Sequence, residues 1–277
     1  MIIWIASYPK SGNTWVRAIV SSLVYSKDGI FTLELLKKIN QFPTKYWFKD
    51  LVNDFSNFSE IKKNWIIAQD KINLDNKVKF FKTHQGKYTV GDDNFTNKEN
   101  TKAVIYIVRD PRNVVLSVSN FYNLSEDESV KFLTSPEVLG NKFDKKSGIL
   151  TLLGTWGDHF KSWTLEKENL LLLKYEDLIS NPYLQLQKII NFLKKYQNIQ
   201  TNELKDQKIL ETTNFTILKK IEENQGFDEN QKKFKDKKFF NLGANTNWQK
   251  MLKKESIKII EEKFQKEMKE LGYLKII

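Results

Sequence analysis

The chain has no cysteine among its 277 residues. That excludes disulfides, zinc–thiolate centres and thiol catalysis. It also lacks any apolar run of the roughly 18 residues that a membrane span needs, so no membrane span is expected. The first strand-like segment starts at Met1, with neither a basic leader nor a cleavage site, so no signal peptide is expected. The missing cysteines agree with that, and together they point to the cytoplasm. No carboxylate cluster has the shape of a metal site, and no metal is expected. Histidine is limited to His84 and His159. Of 45 basic residues only Arg17, Arg109 and Arg112 are arginines, and two of the three sit together. Repeats and Gly/Ser-rich linkers are also missing, so residues 1–277 read as one domain.

Lysine is plentiful. The net charge is +11 and the pI about 9.4. Such a balance suits nucleic acid, an anionic surface or a polyanionic small ligand. The lysines are spread along the chain together with abundant Asn and Ile, apart from a cluster at 232–238. No specific nucleic-acid partner is therefore expected.

The first twenty-five residues organise the rest. Met1 to Ser7 is short, apolar and partly β-branched, which reads as a buried strand. Tyr8-Pro9-Lys10-Ser11-Gly12-Asn13-Thr14 breaks that pattern and reads as a tight loop. Trp15, Ile19, Ser22 and Leu23 then follow at helical spacing. A strand, a small-residue loop and a helix N-terminus make an anion cradle, because free backbone N–H groups and the helix dipole converge there. Lys10 adds a full charge, and Ser11, Asn13 and Thr14 add hydrogen-bonding side chains. The loop is not the nucleotide-binding G-x-x-x-x-G-K-[ST] motif, since it has one glycine and its lysine comes first.

Further strands are expected at Lys77–Lys82, Ala103–Val108 and Leu170–Lys174. Helices are expected at Phe31–Lys38, Glu60–Gln69 and Pro111–Phe121, around Trp156–Trp163, from Asn181-Pro182 onward, and over an amphipathic tail from Ile257 to Leu271 that closes at Gly272. Asn123 to Gly148 reads as loop. Strands alternating with helices imply a parallel sheet covered on both faces. Ligands of such sheets bind beyond the C-terminal strand ends. Lys10, His84, Arg109 and Tyr175 each follow a strand. A neutral imidazole at His84 suits a general base, whereas His159 lies in an aromatic helical stripe and reads as packing. Arg109 and Ser117, two turns apart, suit a second phosphate.

The ordered string Tyr8 to Trp15 resembles the cofactor loop of the sulfotransferases, which use 3′-phosphoadenosine-5′-phosphosulfate (PAPS) as sulfuryl donor. Lys82-Thr83-His84 resembles that family's catalytic-base segment. Val108-Arg109-Asp110-Pro111 through Ser117 resembles its 3′-phosphate segment. Leu173 to Leu178 and Glu211 to Phe215 resemble the segments that supply its adenine contacts. The matches come in family order over about residues 2 to 250. The resemblance implies a three-layer α/β/α, P-loop-kinase-like sulfotransferase fold with a central, mainly parallel sheet. It implies that His84 takes the acceptor proton, that Lys10 neutralises the leaving group and that Lys82 polarises the sulfuryl oxygens. Ser11, Gly12, Asn13 and Thr14 would hold the 5′-phosphate, and Arg109 and Ser117 the 3′-phosphate. Tyr175, Thr213, Trp15 and Phe215 would surround the adenine. The lysine cluster at 232–238, read apart from the resemblance, would be a lid over the donor rather than a nucleic-acid surface. The family's closing Arg-Lys-Gly-x-x-Gly-Asp-Trp-Lys segment corresponds to Asn241 through Gln249, which keeps Gly243 and Trp248 but not the Arg-Lys pair. Lys237 and Lys238 lie just upstream as substitutes.

The acceptor is expected to be a small-molecule or glycan hydroxyl or amine, near Tyr46, Trp47, Phe48 and Tyr88. Nothing in the sequence specifies an oligomer. Two other functions stay open: a nucleotide-dependent phosphotransferase, and a non-catalytic relative that binds nucleotide or polyanion.

Overall fold

In the computed structural model of the protein, residues 1–139, 148–227, 229, 238–243 and 246–275 are described. Ile2–Ser7 forms strand β1, buried at every position. Its side chains alternate: Ile2, Trp4 and Ala6 enter one apolar layer, Ile3 and Ile5 the other. That period of two is the signature of a strand, and a strand covered on both faces must be apolar throughout.

Asn40–Gln41 (β2), Lys79–Thr83 (β3), Thr101–Val108 (β4) and Leu170–Lys174 (β5) complete a sheet ordered β2-β3-β1-β4-β5. Every pairing in it is parallel. The register levels the strand ends: Ala6 lies opposite Thr83, Ser7 opposite Ile107, and Val108 opposite Lys174. The chain passes from β3 across β1 to β4, so the crevice beyond β1 is a topological switch point. β2 was not expected. Its two residues are too few to show any periodicity, and it forms because Asn40 and Gln41 pair with Phe81 and Lys82 on the sheet edge.

Helices cover both faces, which gives the expected three-layer α/β/α arrangement. Asn13–Tyr25 (α1) packs Val16, Ile19, Val20 and Leu23 against Ile3, Ile5 and Ile105. Pro111–Tyr122 (α2) lies on the opposite face with Val114, Val115 and Val118. The stretch expected to be loop contains a helix, Glu126–Thr134 (α3), opened by a full capping box between Ser125 and Glu128. Its S-x-x-E start was legible in the sequence. Residues 140–147 of that stretch lie outside the described part. Trp156–Thr164 (α4) follows as expected and buries Trp156, His159, Phe160 and Trp163. Pro182–Leu193 (α5) covers the α1 face with Leu186, Ile189 and Ile190. Glu203–Thr213 (α6) and Phe215–Gln225 (α7) come next. The amphipathic tail is two helices, Lys254–Lys263 (α8) and Gln265–Glu270 (α9), broken at Phe264 and closed by Gly272 at φ +72°. The helix expected at 60–69 is likewise two, Phe58–Lys63 and Trp65–Asn73.

The aromatic stretch from Gln41 to Phe58 belongs largely to the core. Phe42 and Phe48 are fully buried, and Trp47 sits edge-on to Phe81, so of the expected acceptor wall Phe48 is closed off, Tyr46 is open at 66% exposed, and Trp47 and Tyr88 are half-buried. No helix among the described residues is long and apolar enough to cross a membrane.

Arg112 joins α2 to the C-terminal segment. Asp110 caps α2 by accepting from the Arg112 backbone N–H at 2.9 Å. Its carboxylate also accepts from Arg112 Nε at 2.9 Å and Nη2 at 2.6 Å. The same guanidinium donates to Glu261 at 2.5 Å and to the Tyr273 carbonyl at 3.0 Å, and it lies 3.7 Å over the Trp248 ring. Removing one member of a buried ionic network strands the others. Arg112→Ala is expected to lower the unfolding free energy by about 3 kcal/mol, read as an earlier urea midpoint at an unchanged slope.

Candidate active site

The loop after β1 is shaped by two left-handed residues. Lys10 has φ +66° and Gly12 φ +104°. A Cβ on Gly12 would stand 2.6 Å from a Tyr175 ring carbon, so conformation and contact both require glycine there. Gly12 brings no capping side chain to α1, which leaves the N–H groups of the first turn facing the loop. Asn13 is a strut: its amide donates to the Ile5 carbonyl at 3.0 Å and to Ser7 Oγ at 3.2 Å, strapping the loop to β1. Ser11 Oγ is buried without a hydrogen-bond partner among the described residues.

Cations crowd this loop. Lys82, at the end of β3, ion-pairs with Glu229 at 3.0 Å. Arg17 on α1 donates to the same carboxylate from Nη1 at 2.8 Å and Nη2 at 2.7 Å, and Thr14 Oγ1 donates to it at 3.2 Å. Burial alone would raise the Glu229 pKa, but Arg17 and Lys82 outweigh it and hold the carboxyl well below its ordinary range. Lys10 Nζ is buried without a hydrogen-bond partner among the described residues and lies 3.9 Å from the Phe121 ring centre and 3.6 Å from that of Phe239. Ring faces return part of the hydration that a buried ammonium loses. Burial still lowers the Lys10 pKa from 10.5 to about 7; Glu229 opposes the shift and Arg109 adds to it.

His84 follows β3 and is partly buried. Its Nδ1 lies 2.8 Å from the Ser7 carbonyl oxygen. A carbonyl only accepts, so Nδ1 carries the hydrogen and Nε2 the basic lone pair. The other histidine stands behind this segment. His159 Nε2 donates to the His84 carbonyl at 3.0 Å, and the Tyr106 hydroxyl donates to its Nδ1 at 2.9 Å. Trp163 Nε1 donates to the Gln85 carbonyl at 2.9 Å. Burial pushes the His159 pKa down to about 3, so it stays neutral. His159 therefore packs, as expected, and also fixes the backbone that carries His84.

Arg109 closes the other side. Nη1 donates to the Lys10 carbonyl at 3.2 Å and Nη2 to Thr246 Oγ1 at 3.0 Å, with the guanidinium 4.3 Å over the Tyr175 ring. Trp15 meets Tyr175 edge-on at 5.8 Å. Lys10, Gly12, Trp15, Arg109 and Tyr175 thus form one contiguous wall. Phe215 lies against Gly243, where a Cβ would stand 2.5 Å from its ring. The Thr213 hydroxyl donates within α6 to the Ile209 carbonyl at 2.7 Å. Ser117 is partly buried on α2. Lys238 pairs with Glu223 at 2.5 Å at the surface, so it does not stand in for the Arg-Lys pair in this arrangement. Lys237, the rest of the lysine cluster at 232–237, and residues 244 and 245 lie outside the described part.

The "Sulfotransferase domain" family matches residues 2–272. The chain belongs to the sulfotransferase family. Among its relatives, mouse Sulfotransferase 1 family member D1 is 27% identical over 219 residues, which cover 78% of this chain and 65% of that protein. The chain therefore spans just under two thirds of that relative's length. Cytosolic sulfotransferase 17 of Arabidopsis thaliana is 24% identical over 281 residues, 98% of this chain and 75% of that protein. The crystal structure of mouse sulfotransferase SULT7A1 complexed with PAP superposes with a TM-score of 0.62 at 22% identity, covering 98% of this chain and 85% of that one. Retinol dehydratase in complex with androsterone and inactive cofactor PAP gives 0.61 at 17% identity, covering 97% and 80%. At such identities these structures share the fold.

Two residues beside this loop escaped the sequence reading. Arg17 had a signal, its rarity and its place three residues after Thr14. Glu229 sits in a charged run and had none.

The depressed Lys10 makes anion binding pH-linked. An anion beside Lys10 favours its charged form and raises its pKa, so binding above about pH 7 takes up a proton and affinity falls as pH rises. Calorimetry of PAP binding at about pH 8, in buffers of different ionisation enthalpy, should show proton uptake in the wild type and much less in Lys10→Met.

Proposed function

We propose that this sulfotransferase moves a sulfuryl group from PAPS to a hydroxyl or amine of a small molecule, with His84 as general base. The observation that carries the reading is the meeting of His84, Lys82 and the Lys10 loop at one strand-end crevice, where a carboxylate is already held by two cations. The residues fit such a donor. Lys10 Nζ, Ser11 Oγ and Arg109 Nε are buried polar atoms without hydrogen-bond partners among the described residues, and Glu229 stands where an oxyanion is accommodated. The setting we propose is the cytoplasm, which the name of the Arabidopsis relative supports.

When bound, PAPS supplies an activated sulfuryl group and a nucleotide leaving group. The rest is positioning and charge stabilisation, as in phosphoryl transfer. The N–H groups of Ser11 to Thr14, with the Ser11 and Thr14 hydroxyls, hold the 5′-phosphate. Arg109 and Ser117 hold the 3′-phosphate. Tyr175, Trp15, Phe215 and Gly243 form the adenine end, with the Thr213 oxygen as an acceptor. His84 Nε2 accepts the acceptor's proton, while the Nδ1 bond to Ser7 keeps the ring in the tautomer this requires. Lys82 steadies the sulfuryl oxygens, and Lys10 offsets the charge that develops on the nucleotide side.

His84→Ala is expected to lower kcat about 10²- to 10⁴-fold while the affinity for 3′-phosphoadenosine-5′-phosphate (PAP) is kept; full turnover would remove His84 from this role. Arg109→Ala should weaken PAP far more than 5′-AMP in parallel titrations. Equal losses for the two would argue against a dedicated 3′-phosphate contact. Tight binding of ATP with none of PAP would favour the phosphotransferase reading.

A further inference from the structure

Arg17 has no part in the mechanism above, yet it is built as an anion ligand. It lies on α1 three residues after Thr14, so the two side chains share a helix face. It is 3% exposed. Burying a guanidinium is costly unless an anion meets it, and among the described residues Glu229 is the carboxylate that does.

The fit is incomplete. Both Nη atoms of Arg17 donate to one oxygen, Glu229 Oε1, which also faces Lys82 Nζ at 3.0 Å. Among the described residues, Oε2 takes only the Thr14 hydroxyl at 3.2 Å, and Arg17 Nε is left buried with no partner. A carboxylate therefore crowds one oxygen and leaves a donor unused. A phosphate group has more oxygens, spread tetrahedrally, and matches a guanidinium fork better.

We propose that Arg17, beside Thr14, binds the 5′-phosphate of the donor, and that the donor enters by displacing the Glu229 carboxylate from this seat. The inference rests on the PAPS reading above. It makes Glu229 an internal competitor: the seat is available only in the fraction of molecules from which Glu229 has withdrawn, and the measured affinity is reduced by that fraction.

The test is a calorimetric titration of PAP, and of adenosine 3′-phosphate, which lacks the 5′-phosphate, into the wild type, Glu229→Gln, Arg17→Met and the double variant. Glu229→Gln should bind PAP about threefold or more tighter and adenosine 3′-phosphate as the wild type does. Arg17→Met in the Glu229→Gln background should weaken PAP about tenfold or more and leave adenosine 3′-phosphate unchanged. Arg17→Lys in that background should fall between, and it replaces Arg17→Met if circular dichroism shows the latter unfolded. An Arg17 whose only task is to hold Glu229 gives the opposite pattern: Arg17→Met alone binds PAP more tightly, and has no effect once Glu229 is Gln. That result overturns this inference and leaves the donor reading intact. A wild type that does not bind PAP overturns both.

Discussion

Positive charge gathered at the carboxyl ends of parallel strands is the constraint around which the molecule is arranged. Lys10, Arg17, Lys82 and Arg109 are all taken largely out of water, within one crevice. Each finds a different compensation. Lys10 lies between the Phe121 and Phe239 rings, Arg109 lies over Tyr175 and on the loop carbonyl, and Arg17 and Lys82 share Glu229. Aromatic faces and backbone carbonyls moderate charge without cancelling it. The crevice so built retains its field for an anionic ligand.

β1 is the mechanical spine of that crevice. It is buried on both faces and paired on both edges, which leaves Ser7 fixed at the switch point. Ser7 in turn meets His84 through its carbonyl and Asn13 through its hydroxyl, so the imidazole and the loop refer to the same strand end. Behind them His159 and Trp163 hold the backbone of residues 84 and 85 from α4. A neutral histidine suits this task, because it adds no second charge behind the His84 imidazole.

The C-terminal segment reaches back to the crevice. Thr246 binds the Arg109 guanidinium and Gly243 seats the Phe215 ring. Trp248 stacks on Arg112, which anchors the segment to the start of α2. The orientation of Arg109 thus depends on the Thr246 hydroxyl and the Tyr175 ring.

The sequence alone determined the elements that carry a local code. The strands β1, β4 and β5, the Pro-started helices α2 and α5, and the placement of Lys10, His84, Arg109 and Tyr175 at strand ends all follow from apolar runs, caps and breakers only a few residues wide. Short or interrupted elements carried less of that code: β2 has two residues, and the tail breaks at Phe264 without glycine or proline. Tertiary structure alone decided the polar partnerships. Arg17 meets Glu229 across 212 positions of chain, and His159 meets the His84 carbonyl across 75. Such pairs have no spacing to read, because the energy that selects them arises only once packing has removed both groups from water.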